Sequence, residues 1–214
     1  MGWFQLDPQS IVDRVKASGA PAQVPSLGRS LLRGILGFTA VSVAGFAPWA
    51  LGGKWFHRVA GEAGMYVACA AAFIGLSGLL LHRLIIGPGS LPRFYKLFGL
   101  SFAAYSAAWI AAWMMRPGHV GSLVGLFAGT AAMGWMFATA FDARPATWNA
   151  IAALFVLNTI GYFAGGWVEG TVAKLAPIKI AMLLWGVCYG IGLGAGLALA
   201  FHSCQKTVRQ RLAA

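Results

Sequence analysis

The groups able to carry chemistry are few and sit in unhelpful places. The five carboxylates, Asp7, Asp13, Glu62, Asp142 and Glu169, all fall outside the long apolar runs or at their edges. Ionisable groups held inside a bilayer are costly and usually functional, so a proton relay or ion-coupled carrier should keep at least one of them deeper. Four histidines remain. His82 and His202 stand near the same end of their apolar runs and are the weak candidates for an axial haem or chlorophyll pair, while His57 and His119 stand near the other end. No cofactor is expected from this arrangement alone, because ligation also needs facing rings and a flat apolar slot. No close cluster of His, Cys and carboxylate suggests a metal site. The most polar point at mid-depth is Asn158-Thr159, with Tyr162 one helical turn away and Tyr105 near the middle of an earlier run. Such amides and hydroxyls either bond across helices or line a wet path.

Two short stretches resemble known families. Gly75-Leu76-Ser77-Gly78 resembles the nucleophile motif of rhomboid intramembrane proteases, and His119-Val120-Gly121-Ser122 resembles that family's histidine-bearing helix start. The resemblance implies a Ser77 nucleophile with His119 as its base, a pair that must share a hydrogen bond. The expected topology separates them by roughly 20 Å along the membrane normal at 1.5 Å per residue, which disfavours a protease. The turn Asp142-Ala143-Arg144-Pro145-Ala146-Thr147-Trp148, the later Asn158-Thr159 and Trp185-Gly186-Val187 are similar to pieces of the small six-span urea and amide channels, at different spacings. That likeness implies a pore for a neutral solute.

The elements that must hold these groups are membrane helices. Only 10% of the 214 residues are charged and 59% are apolar, too little polar surface to coat a soluble globule. Six runs reach the roughly 20 residues needed to cross about 30 Å of hydrocarbon: Leu31 to Gly52, Ala63 to Leu84, Lys96 to Met115, Val120 to Phe141, Thr147 to Trp167 and Ile178 to His202. The runs are continuous rather than alternating, so the expected fold class is all-α, a polytopic bundle of three consecutive hairpins. Turn formers mark the breaks at Gly52-Gly53-Lys54, Gly87-Pro88-Gly89, Arg116-Pro117-Gly118, Asp142 to Pro145 and Ala176-Pro177.

Before the bundle, Asp7 to Lys16 carries a cap residue and a proline at the first helical position, predicting a short interfacial helix. Ala20 to Pro25 reads as a connector. The chain thus divides into an N-terminal interfacial segment (1–30), a six-helix transmembrane domain (31–203) and a basic tail (204–214). The net charge of +11 is spent flanking apolar runs, so it reads as a topology signal and not as a nucleic-acid footprint. One side holds 11 of the Lys and Arg residues, Arg29, Arg33 and Arg83 among them; the other holds 5, namely Lys54, Arg58, Arg116, Lys174 and Lys179. This bias predicts an inner-membrane protein with both termini in the cytoplasm, where the basic face would meet anionic lipids. Cys69, Cys188 and Cys204 give no disulfide framework.

Small residues four apart let helix backbones approach where lipid gives no hydrophobic drive. Gly121, Gly125 and Gly129 form one such ridge, Gly186, Gly190 and Gly194 a second, and Gly64, Ala68 and Ala72 a third. All three lie on the second helix of a hairpin, so the second, fourth and sixth spans are expected to form the interior. With no catalytic motif, the sequence predicts a non-enzyme. The expected function is a passive channel or permease for a small neutral or weakly polar solute, working alone or as a homo-oligomer, or else a non-catalytic accessory subunit of a larger membrane complex.

Overall fold

The computed structural model describes residues 3–19 and 24–213, so most of the connector at 20–23 lies outside the described residues. It contains eight α-helices among those residues: α1 (Pro8–Ala17), α2 (Leu27–Val59), α3 (Gly61–Leu81), α4 (Ser90–Met115), α5 (His119–Ala140), α6 (Thr147–Val172), α7 (Ile178–Cys204) and α8 (Lys206–Ala213). Six of them, α2 to α7, are long and apolar enough to cross a membrane. The chain is a multi-pass helical membrane protein in contact with the lipid bilayer.

The spans differ from the expected ones most at α2. Its 33 residues make a helix of roughly 50 Å, longer than the hydrocarbon is thick. Gly52-Gly53-Lys54 is therefore not a break, and Pro48 is accommodated within the same helix. The turn falls instead at Ala60-Gly61, where Gly61 adopts a left-handed φ of +65° that glycine takes without steric penalty.

Burial also corrects the expected interior. Half of the most apolar stretch of α5 and 61% of that of α7 are buried, against 28% for each of the other four spans, α3 included. On α3, a Cβ at Gly64 would meet only Ala60 at the helix's own N-terminus. By contrast Gly125 and Gly129 rest on Trp109 and Tyr105 of α4, while Gly121 packs on the carbonyl of Arg116 at the turn before it. Gly186 and Gly190 rest on Ser42, Phe46 and Thr39 of α2, and Gly194 lies back to back with Gly34. A second row on α7, Gly192 and Gly196, fits against Leu157, Gly161 and Leu154 of α6. The sixth span is thus wedged between the first and the fifth, which closes the bundle. Ser42 seals the α2–α7 seam by donating to the carbonyl of Gly186 at 2.7 Å.

An aromatic column runs up α4. Phe94, Phe98, Phe102 and Tyr105 stack in sequence at 5.2, 5.3 and 5.9 Å between centroids, as the helical spacing of three to four residues allows. Phe201 of α7 stacks on Phe94 and Phe137, tying α4, α5 and α7 together near the termini.

The first and last helices lie on one face, since α1 packs against α8. Asp7 caps α1 by accepting from the Ser10 amide at 3.0 Å and from its hydroxyl at 2.6 Å. The apolar side of α1 faces the protein: Ile11, Val12 and Val15 are buried, with Val15 and Ile11 against Gly87. The expected interfacial helix is therefore covered by its own chain. Partial burial pushes the Asp7 carboxyl up, but opposing interactions led by the two Ser10 hydrogen bonds hold the group below its ordinary value. A depressed carboxylate stabilises above its unfolded pKa and loses that contribution as pH falls through the folded one. Asp7→Ala is accordingly expected to cost about 1 kcal/mol of α1 stability at neutral pH. Amide hydrogen exchange in the first turn of α1 reads this, and the difference from the native chain should vanish on acidification below the carboxylate range.

Gln205, at the junction of α7 and α8, pins the loop after α3. Its amide oxygen accepts from the Ile86 backbone at 2.8 Å, and its nitrogen donates to the carbonyls of Leu84 and Phe201 at 2.8 and 3.0 Å. Gln205→Leu would leave buried backbone groups without partners. The expected cost is about 3 kcal/mol, seen as a lower unfolding temperature in detergent.

Candidate functional site

Three constellations of polar side chains stand out. The first is a shallow groove of about 360 Å³ on the terminal face, bounded by Arg29, Arg33, Leu32, Leu36, Gly37 and Leu80. Arg29 and Arg33 are one turn apart, so both guanidinium groups issue from one side of α2. Leu32, Leu36 and Leu80 are all exposed on the bundle's outer surface, where the lipid lies. Gly37 lets α2 approach α3 closely, with Leu81 beneath it. Arg33 Nη1 donates to the carbonyl of Arg83 at 3.1 Å, which fixes its guanidinium at the rim. Among the described residues the sole ion-pair contact is His57 with Glu62 on the opposite face. Arg29 and Arg33 therefore present uncompensated positive charge beside an apolar wall.

The second constellation is a closed knot at mid-depth. Asn158 Nδ2 of α6 donates to the Tyr105 hydroxyl of α4 at 3.0 Å, and Tyr189 of α7 donates to the same oxygen at 3.2 Å. Asn158 is fully buried and Tyr105 and Tyr189 nearly so; Asn158 Oδ1 and Thr159 Oγ1 have no partner among the described residues. Tyr189 escapes the sequence pattern because it lies within a glycine-rich run. Counting residues from the far end of each helix is the signal that places it at the depth of Tyr105.

The third is a cleft of about 530 Å³ on the far face, with His119, Ser122, Tyr162, Trp185 and Glu169 in its lining. The Ser122 and Tyr162 hydroxyls are hydrogen-bonded at 3.2 Å. The four mid-depth candidates therefore divide: Tyr105 and Asn158 meet in the knot, Thr159 sits beside it, and Tyr162 joins the far cleft.

The other candidates are dispersed. Ser77 is buried in α3 with an unpartnered hydroxyl, whereas His119 is exposed in the far cleft. The His82 ring is hydrogen-bonded to the Ser90 hydroxyl at 2.9 Å, and the backbone carbonyl of His202 accepts from Arg209. Neither histidine lines either cleft. Among the described residues no three of His, Cys, Asp and Glu gather closely enough to hold a metal ion.

Comparison with known proteins bears on the class of function. The chain is 29% identical over 124 residues to a phytol kinase of Synechocystis sp. (strain ATCC 27184 / PCC 6803 / Kazusa). That likeness points to an enzyme. It overturns the expectation of a non-enzyme, which rested on the absence of a catalytic motif in the sequence. The match covers 56% of this chain and 52% of the relative, so the chain spans about half the length of that curated protein. No protein-family model matches the chain, and no solved structure does.

Proposed function

We propose that the chain is a membrane-embedded enzyme that phosphorylates a long-chain lipid alcohol, an isoprenoid such as phytol, at the arginine groove of the terminal face. The observation that carries the reading is the pairing of two uncompensated arginines with lipid-facing leucines. A hydrocarbon alcohol partitions into the bilayer and offers its hydroxyl at the membrane boundary. Leu32, Leu36 and Leu80 would guide the chain, and Arg29 and Arg33 would meet the head.

Phosphoryl transfer asks little covalent chemistry of the protein. Its transition state spreads negative charge over the equatorial oxygens, so catalysis is mostly positioning and electrostatic stabilisation. Arginine suits that task because its planar fork stays charged and bonds phosphate with two parallel donors. The alcohol oxygen would bond the terminal phosphorus of a nucleoside triphosphate donor as the phosphoanhydride bond breaks, releasing the nucleoside diphosphate, with the hydroxyl proton passing to solvent. The positive-inside bias would place this groove in the cytoplasm, where such donors are found.

Product binding tests the reading. Phytyl phosphate is expected to raise the unfolding temperature of the purified protein, free phytol to do so less, and inorganic phosphate hardly at all. Equal shifts with phytol and phytyl phosphate would remove the arginines from the proposal. No shift with either would remove the groove.

A further inference from the structure

The far-face cleft plays no part in the proposed reaction, and its chemistry is opposite to that of the groove. Its walls are the indoles of Trp113, Trp167 and Trp185, with the rings of Tyr162 and Phe163, and its lining carries the carboxylate of Glu169. His119 and Ser122 also line it, but neither lysine nor arginine does, although the chain carries a net charge of +11. The walls stand at right angles where they adjoin. Tyr162 meets Trp185 at 5.4 Å with an interplanar angle of 82°, and Phe163 at 5.2 Å and 83°. Trp185 is held from behind by stacking on Tyr189 at 5.2 Å, and Tyr189 is itself anchored in the buried knot. Trp113 is held likewise, stacked on Trp109 at 6.4 Å.

Ring faces carry the negative end of the aromatic quadrupole and attract cations, tryptophan most strongly. A carboxylate in the same lining adds a full charge of the same sign. An anion would be repelled by both features, and a purely apolar ligand would gain nothing from Glu169. From this geometry we infer that the far-face cleft is a binding site for an organic ammonium ion, of the methylated type that fills aromatic boxes. The ammonium would enter as a free solute or as the head group of a lipid at the depth of the interfacial tryptophans. A cleft of about 530 Å³ lies within the usual size of small-molecule sites.

The test is equilibrium binding of radiolabelled choline to the full chain in phosphatidylglycerol nanodiscs, with tetramethylammonium and the neutral carbon isostere of choline as competitors. Saturable binding is expected, displaced by tetramethylammonium and not by the isostere. Glu169→Gln and Trp167→Leu should each weaken it about tenfold, the scale of one lost charge or cation–π contact. Trp167 is 73% exposed, so its replacement leaves the packing intact and keeps the test valid should Glu169→Gln fold poorly. Repeating the measurement in phosphatidylcholine nanodiscs separates the sources. Loss of choline binding there assigns the site to a lipid head group, and unchanged binding assigns it to a free solute; either supports an ammonium site. Absence of saturable binding in phosphatidylglycerol, equal competition by the isostere, or unchanged affinity in Trp167→Leu would overturn the inference.

Discussion

Replacing Arg29 and Arg33 together with glutamine is expected to lower phosphorylation of an isoprenoid alcohol by about a hundredfold. Each arginine would contribute a charge-assisted contact to the transferring phosphoryl group, and two such contacts at roughly 1.5 kcal/mol each give that factor. Stability should barely change. Arg29 is exposed, and Arg33 gives up only a surface hydrogen bond to the Arg83 carbonyl. The unfolding temperature in detergent separates the two effects. Lysine at both positions should recover part of the rate, because the charge returns without the bidentate fork. An unchanged rate in the glutamine double variant would place the chemistry elsewhere.

Gly194→Leu is expected to abolish the native bundle. A Cβ at this position would collide with the Gly34 carbonyl and come within 3.0 Å of the Phe38 side chain. Backbone cannot rotate aside as a flexible side chain does. The α2 and α7 helices would have to separate along the seam that Gly186, Gly190 and Ser42 also serve. Overpacking of even a yielding core costs about 1–3 kcal/mol, and here two backbones must part. Gly53→Leu is the control, since nothing lies within 4 Å of its would-be Cβ. That replacement should be neutral or gain up to about 1 kcal/mol of helix propensity. Monodisperse elution of the Gly53 variant and aggregation of the Gly194 variant would be the readout.

The spans were legible because lipid demands long uninterrupted apolar runs and internal hydrogen bonding, both local properties of a chain. The turn at Gly52-Gly53-Lys54 was misread for a related reason. Glycine and lysine signal a break in water, yet α2 simply runs on past the hydrocarbon, where its polar end is solvated. The four-residue spacing of Gly186, Gly190 and Gly194 marked a contact face, but its partner Gly34 lies some 150 residues away. Hairpin logic pairs neighbours in sequence, so closure of α7 on α2 left no local trace. Gly64, Ala68 and Ala72 show the converse: the spacing is right, yet none of the three is fully buried.

The candidate sites were less legible still. Asn158 and Tyr105 announced themselves as polar groups at one depth, and they meet. Trp113 and Trp167 lie near the ends of their helices, where interfacial tryptophans are common, and a cleft made by the angle between helices leaves no further mark on them. The arginines of the groove were counted as topology signals. A basic residue at the membrane boundary serves orientation and anion binding through one charge, and only the absence of a carboxylate partner beside a lipid-facing wall distinguishes the second role.

Transfer of phosphate to a lipid alcohol by this chain itself is the activity proposed. Its most direct test is to reconstitute the purified full chain in nanodiscs containing phytol, supply a nucleoside triphosphate labelled in the terminal phosphate, and follow label into the organic extract. Label is expected to appear in a species that comigrates with phytyl phosphate, in amounts that grow with protein. Label that stays wholly in the aqueous phase with a correctly folded protein, across each of the common nucleotides and with shorter isoprenoid alcohols as well, would contradict the claim.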